Sequence, residues 1–294
     1  MGETSMSRVL ATCWLWLSAW VLASCSSEVA PDLREHAHPE LRASGYSWSV
    51  DEVMDPATGL PNRIVHKATG AELVLIPAGE FLMGSPESEA ERSSDERQHR
   101  RVIRKPFYLG VTEVTQAQWN KVMGSNPSFF MGDELPVDRV SWNDCQEFLQ
   151  EAGGGLRLPS EAEWEYACRA GTTTPFSFGT TITPEQVNYN GNYPYGNASR
   201  GLYRGKTVAA GSLPANGWGL HEMHGNVWEW CEDCPGDYPA EGTEETSRAA
   251  GARVLRGGGW GFDADHCRAA ARISGAADGR SRLIGFRLAR SLPE

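Results

Sequence analysis

"NGWGLHEMHGNVWEWC", Asn216 to Cys231, sets three tryptophans among glycines and polar groups with neither a helical nor a strand period. Glycines spaced between large aromatics suit irregular backbone that turns tightly while delivering bulk to a core. The stretch before it, Gly171 to Pro214, is just as aperiodic and is crowded with Asn, Gly and Tyr. A loop of that length in a compact domain is usually functional, or is held by something other than packing, such as a metal. The 294 residues include 32 glycines, 17 prolines and 11 tryptophans, so buried aromatics must supply area that long regular elements supply elsewhere. Net charge is −11 and no segment is basic enough to track phosphates, which argues against a nucleic-acid partner.

Outward from this stretch, regular elements announce themselves. "AELVLIPAGEFLMGS" predicts strands over Glu72 to Ile76 and Glu80 to Met83 around a Pro77-Ala78-Gly79 turn. Thr115 with Gln118, Ser141 with Asp144, and Ser160 with Glu163 each place a hydroxyl three residues before an amide or acid, predicting three capped helices. Cys145 and Cys168 fall on the apolar faces of the second and third. Pro86 to Lys105 is almost wholly charged or polar before Val102 and predicts a solvated loop, with His99 a surface residue.

The N-terminus carries an apolar run, Val9 to Leu22, after one basic residue, too short to span a bilayer comfortably. Leu22-Ala23-Ser24-Cys25 resembles a bacterial lipobox, which makes residues 1–25 a signal peptide, with Met6 an alternative start, and Cys25 the lipid-bearing mature end; the other reading of the run is an ordinary secretory signal or an uncleaved anchor. Ser26 after it favours the outer membrane, so the expected location is the cell envelope, on the periplasmic face. Residues 26–70, polar and with Pro31, Pro39, Pro56 and Pro61, predict a tether holding at most one strand, Arg63 to His66, and the compact domain is expected over 71–291.

"RLPSEAEWEYACRAGT", "GLHEMHGNVWEW", "VLRGGGW" and "IGFRLAR", in that order, together resemble the formylglycine-generating enzyme, or sulfatase-modifying-factor, family. The resemblance covers about Ala71 to Arg290. It implies an α+β fold related to the C-type lectin scaffold, loop-rich with few regular elements. The family's enzymes oxidise a cysteine of a client sulfatase with molecular oxygen, through two thiols that bind Cu(I). Soft thiolates suit Cu(I). Here Phe262 stands where the first thiol belongs, Gly259 replaces a serine, and Cys267 is left alone, so copper is not expected. The remaining catalytic candidates are Cys267 itself and the C-x-x-C of Cys231 and Cys234, a motif that also reads as a local disulfide or two separate cysteines.

The resemblance further implies Ca²⁺ at Glu222, Met223, Gly225 and Val227, with Glu222 in place of a shorter acid or amide, and at Asn188, Tyr189 and Tyr203. A hard cation wants six or more oxygens. It also implies a Cys168–Cys267 disulfide, and a binding cleft walled by Trp228, Trp260 and Arg272 for an exported protein, peptide or glycan. His221 and His224 lack metal-ligand clustering. The function expected on this reading is a lipid-anchored binding or accessory module. The alternative is an oxidase: a formylglycine generator acting on an exported sulfatase, or a related protein-maturing oxidoreductase.

Overall fold

The computed structural model describes residues 38–49, 51–238, 246–247 and 251–292. The signal segment and Cys25 lie outside the described residues. The helices begin where the sequence placed them. Thr115, Ser141 and Ser160 each accept a hydrogen bond from the N–H three residues on, and Gln118, Asp144 and Glu163 each accept one from the cap's own N–H. These boxes open α2 (Gln116–Met123), α3 (Trp142–Ala152) and α4 (Glu161–Arg169). Each satisfies two N–H groups that a helix start leaves bare. A short α1 (Pro39–Ala43) precedes them.

Strands β1 (Tyr46–Ser47), β2 (Arg63–His66), β3 (Glu72–Ile76), β6 (Phe107–Gly110), β14 (Ala289–Ser291) and β7 (Leu156–Arg157) form one sheet in that order, all antiparallel. The last described strand, β14, thus lies between β6 and β7. A second sheet runs β12 (Arg272–Ala276), β11 (Ala252–Arg256), β8 (Trp228–Trp230), β13 (Ile284–Gly285), the last pair parallel. β4 (Gly79–Met83) and β5 (His99–Ile103) form a separate hairpin, and β9 (Gly236–Asp237) pairs with β10 (Thr246–Ser247).

Two expectations need correction. Residues 38–70 are not a tether: β1 and β2 belong to the large sheet and α1 packs on β1, with Leu41, Tyr46 and Ile64 fully buried, so the domain begins well before Ala71. Sparse apolar residues hid this, because the few that anchor the segment, Leu41, Tyr46, Leu60 and Ile64, are spread too thinly to show a period. The charged run 86–105 is not all solvated either. It contains β5, and the side chains of Glu89 and Glu96 are buried on Arg268, at 2.8 and 2.7 Å. The paired charges that made the run look exposed close it onto the C-terminal turn.

The tryptophan excess is core. Trp164, Trp228 and Trp230 are buried, and Trp119 stacks on Phe148 at 5.2 Å with Phe286 edge-on to both rings.

Candidate functional site

The C-terminal glycine run positions the turn that carries Cys267. Gly257 and Gly258 have φ of 98° and 79°, and a Cβ on Gly258 would sit 2.6 Å from Cys267 Sγ. Only glycine fits that approach. Cys267 ends a 3₁₀ turn, Ala264–Cys267. Buried Arg256 pins the backbone just beyond it, donating to the carbonyls of Ala269, Ala270 and Ala271 at 2.7 to 3.0 Å while pairing with Glu165. Burial pushes the Cys267 thiol well above its ordinary range, and does the same to Cys168 and Cys231. A thiol held protonated is a poor nucleophile and a poor soft-metal ligand.

The expected Cys168–Cys267 disulfide is not formed: both are free thiols. His224 stands between them. Its Nε2 lies 3.6 Å from Cys168 Sγ and its Nδ1 2.7 Å from the Cys267 carbonyl oxygen. Nδ1 therefore donates, and Nε2 accepts from the Ser177 N–H at 3.1 Å. Burial depresses the imidazole to about 4, so it is neutral at pH 7. Its ring nitrogens are both occupied, and His221 Nδ1 meets the Leu213 carbonyl at 2.7 Å. Cys231 and Cys234 are free as well, Cys231 buried and Cys234 accepting from Arg253 Nη1. Phe262, where a first thiol was sought, packs edge-on to Trp228 at 5.5 Å and against His266 at 5.1 Å.

Trp228, Trp260 and Arg272 do not wall an open cleft. Trp228 and Trp260 are 1% and 4% exposed. Arg272 is turned inward, with both carboxylate oxygens of Glu161 at 2.7 and 2.8 Å and the Tyr238 ring beneath it at 4.2 Å. A guanidinium so paired and stacked is a structural strut.

The two loops expected to hold calcium are brought together. Asn188 and Gly225 form a bridge, the Asn226 N–H donates to the Asn188 carbonyl at 2.8 Å, and a Cβ on Gly225 would collide with that carbonyl. Their donor sets differ. Each Glu222 oxygen already accepts one N–H, from Gly211 at 2.8 Å and Leu213 at 3.1 Å, so the side chain anchors a loop. Met223 O accepts from Cys168 Sγ at 3.6 Å, the Gly225 N–H donates to the Gly257 carbonyl at 2.6 Å, and Val227 is buried. Asn188 fits a cation ligand. Its Nδ2 donates to Asn226 Oδ1 and to the Lys206 carbonyl, both at 3.0 Å, while its buried Oδ1 has no partner. An orphaned, buried amide oxygen in an irregular loop suits a hard cation. Tyr189 is buried beside it, and Tyr203 bridges Asn190.

One feature went unread in the sequence. Phe129 and Met131 are 50% and 68% exposed, and Tyr203 is 40% exposed. Phe130 meets Trp260 edge-on at 5.6 Å, Tyr203 stacks on Trp260 at 6.4 Å, and the Arg282 guanidinium lies 5.2 Å from both the Phe129 and Trp260 rings. An outward aromatic platform of this kind marks an interaction surface. The signal was there: "NPSFFMG" puts three apolar residues together in a Pro/Gly loop.

A model of the sulfatase-modifying factor enzyme 1-like domain matches residues 60–292. The chain is 34% identical over 204 residues to the formylglycine-generating enzyme of Mus musculus, covering 65% of this chain and 53% of that one. It is also 34% identical over 187 residues to the inactive C-alpha-formylglycine-generating enzyme 2 of Mus musculus, covering 60% and 56%. It thus spans about half the length of these relatives. Among solved structures, PvdO from Pseudomonas aeruginosa superposes with a TM-score of 0.64 at 32% identity, over 76% of this chain and 95% of that one. With its curled sheet, few helices and loop-rich α+β, C-type-lectin-like scaffold, this chain belongs to the sulfatase-modifying factor family.

Proposed function

We propose that this protein is an extracytoplasmic, lipid-anchored binding or accessory module built on the sulfatase-modifying-factor scaffold, without the copper oxidase chemistry. The observation that carries this reading is the donor set of the C-terminal turn. Cys267 is buried and held protonated, and Phe262 is locked between Trp228 and His266. Two adjacent soft ligands are what Cu(I) and a substrate thiol need, and this turn offers one inaccessible sulfur. That the family includes a relative named as inactive agrees with the reading. The face offered to an exported protein or peptide is the platform of Phe129, Met131, Tyr203 and Arg282, backed by Phe130 and the buried Trp260. Calcium at Asn188, with Tyr189 and Tyr203, braces the loop that carries one edge of that platform.

The test is direct. The purified protein, loaded with Cu(I), is incubated with a Cys-x-Pro-x-Arg peptide in air, and aldehyde is trapped with a hydrazide probe. No aldehyde is expected. Aldehyde formation that vanishes in Cys231→Ser or Cys234→Ser would overturn the reading in favour of an oxidase using the C-x-x-C. For the anchor, Cys25→Ala is expected to abolish fatty-acid labelling and release the protein from membranes.

A further inference from the structure

Between the β4–β5 hairpin and the C-terminal end of α4 lies a cavity of about 390 Å³, within the range of small-ligand sites. It is separate from the aromatic platform in every lining residue. Its wall is a row of three rings: Phe81 lies 5.2 Å from Tyr166, and Trp218 is 4.9 Å from Tyr166 on an edge-to-face approach. β4 passes so close to this wall that a Cβ on Gly79 would sit 2.3 Å from Tyr166 Oη. The wall therefore has little room to collapse, and the cavity is a fixed part of the packing.

Its polar groups decide what it takes. Arg169 lines it but is consumed, with Nε on Glu165 at 2.8 Å and Nη2 on the Gly84 carbonyl at 2.8 Å. At the rim Glu80 and Arg100 pair with one another on the exposed face of the hairpin. Every charge here is thus balanced, in a protein whose net charge is −11, and nothing in the lining selects an ionic ligand. What the rim does present is a carboxylate and a guanidinium side by side, with Thr172 and Thr173 also in the lining; the Thr172 hydroxyl already donates to the Arg169 carbonyl at 2.9 Å, which leaves Thr173 to face a ligand. Adjacent acceptors and donors suit vicinal hydroxyls, and flat aromatic faces suit the C–H face of a sugar ring.

We propose that this cavity is a saccharide site, in which a pyranose ring packs against Phe81, Tyr166 and Trp218 while Glu80, Arg100 and Thr173 read its hydroxyls. A neutral ligand with one apolar face and a hydroxylated edge satisfies the lining without leaving a charge unpaired. The site is additional to the protein-binding platform and gives a binding module a second, glycan-directed contact.

The experiment titrates the full chain with cellobiose and with di-N-acetylchitobiose, reading tryptophan fluorescence and ligand saturation-transfer NMR. Saturable binding of at least one is expected. Trp218→Ala should weaken it about tenfold or more, the loss of one stacking face. Arg100→Ala, a surface change that leaves the core alone, should weaken it by a smaller factor with an unchanged melting curve. A Phe129→Ser/Tyr203→Ser double variant should bind sugar as the wild type does. Absence of binding by both disaccharides overturns the proposal, as does binding that survives Trp218→Ala and Arg100→Ala. Binding lost only in the double variant would move the sugar to the platform and overturn this assignment while leaving the platform reading standing.

Discussion

At the C-terminal turn and β8, each buried carboxylate meets an arginine: Glu161 on Arg272, Glu165 on Arg256, and Glu229 on Arg287 with Trp164 Nε1 as a further donor at 2.7 Å. Where the Asn188 and Glu222 loops meet, Glu113 and Glu222 are buried with no arginine in ion-pair contact among the described residues. Glu222 leans on two N–H groups, and Glu113 has one oxygen on Asn226 Nδ2 at 3.0 Å and the other on nothing. The first corner closes its charge with its own side chains and needs only to fold. The second leaves negative charge and an unused amide oxygen, so its state depends on what solution supplies, a proton or a cation. A rigid frame beside an adjustable corner is how a scaffold can keep its shape while a loop responds.

The sharpest way to break that contrast is to remove a cation from the closed corner. Arg287 is fully buried, with Nε and Nη2 each 2.6 Å from Glu229. It also donates to the carbonyls of Gly110 at 3.0 Å and His221 at 2.9 Å, joining β6 to the loop before β8. Arg287→Met keeps most of the volume and strands Glu229. The expected cost is about 3–5 kcal/mol, because an uncompensated buried charge remains. Chemical denaturation of the variant measures it. A loss of under about 1 kcal/mol would mean that this corner, too, can be rescued from solution.

How much of this was legible follows from the range over which each signal acts. The capping boxes at Thr115, Ser141 and Ser160 are local, completed within four residues, and all three are formed. The family motifs likewise lie in continuous runs. Glu89 and Glu96 were misread because their partner, Arg268, is more than 170 residues away, and no local pattern separates an acid bound for solvent from one bound for a distant arginine. Trp228 and Arg272 were placed in a cleft by motif position, which says that a residue matters without saying which way it faces. Glu222 illustrates the same limit: its place in the motif suggests a metal, while its extra methylene carries the carboxylate to the Gly211 and Leu213 amides. The strands β1 and β2 hid in a segment whose buried apolar side chains, Leu41, Tyr46, Leu60 and Ile64, are too few to make a pattern.

A smaller effect is expected of chelation at the open corner, where calcium is proposed. A ligand that binds only the folded state stabilises it by about 2.7 kcal/mol at a hundredfold excess over its dissociation constant. Chelation should therefore lower the melting temperature and millimolar Ca²⁺ should restore it. Asn188→Ala should remove this response, since its Oδ1 is the orphaned oxygen. Glu222→Gln should keep the response, with a loss of about 1 kcal/mol from weakened N–H acceptors. The opposite pattern, with the response surviving Asn188→Ala and lost in Glu222→Gln, would reverse the assignment of the two loops.

The smallest effect separates proton from cation at the same corner. Burial, followed by the nearby charges of Glu222 and Glu229, raises the Glu113 carboxyl well above the ordinary carboxylate range, and burial raises Glu222 as well. A carboxyl raised on folding binds its proton more tightly in the native state. Its contribution to stability is thus fully present below the unfolded value, about 4.5, and is lost as pH rises through the folded one. In chelator, the wild type should therefore lose stability on going upward from pH 4.5. Glu113→Gln is neutral throughout and retains an acceptor for Asn226 Nδ2, so its curve should be flatter, with an advantage over the wild type that grows toward neutral pH. His224 does not imitate this slope. Its pKa is depressed, so it disfavours the folded state as pH falls below its ordinary value of 6.5, the opposite sign. Parallel stability curves for wild type and Glu113→Gln between pH 4.5 and 8 would mean that Glu113 stays ionised when folded, and that its unpartnered oxygen is satisfied some other way.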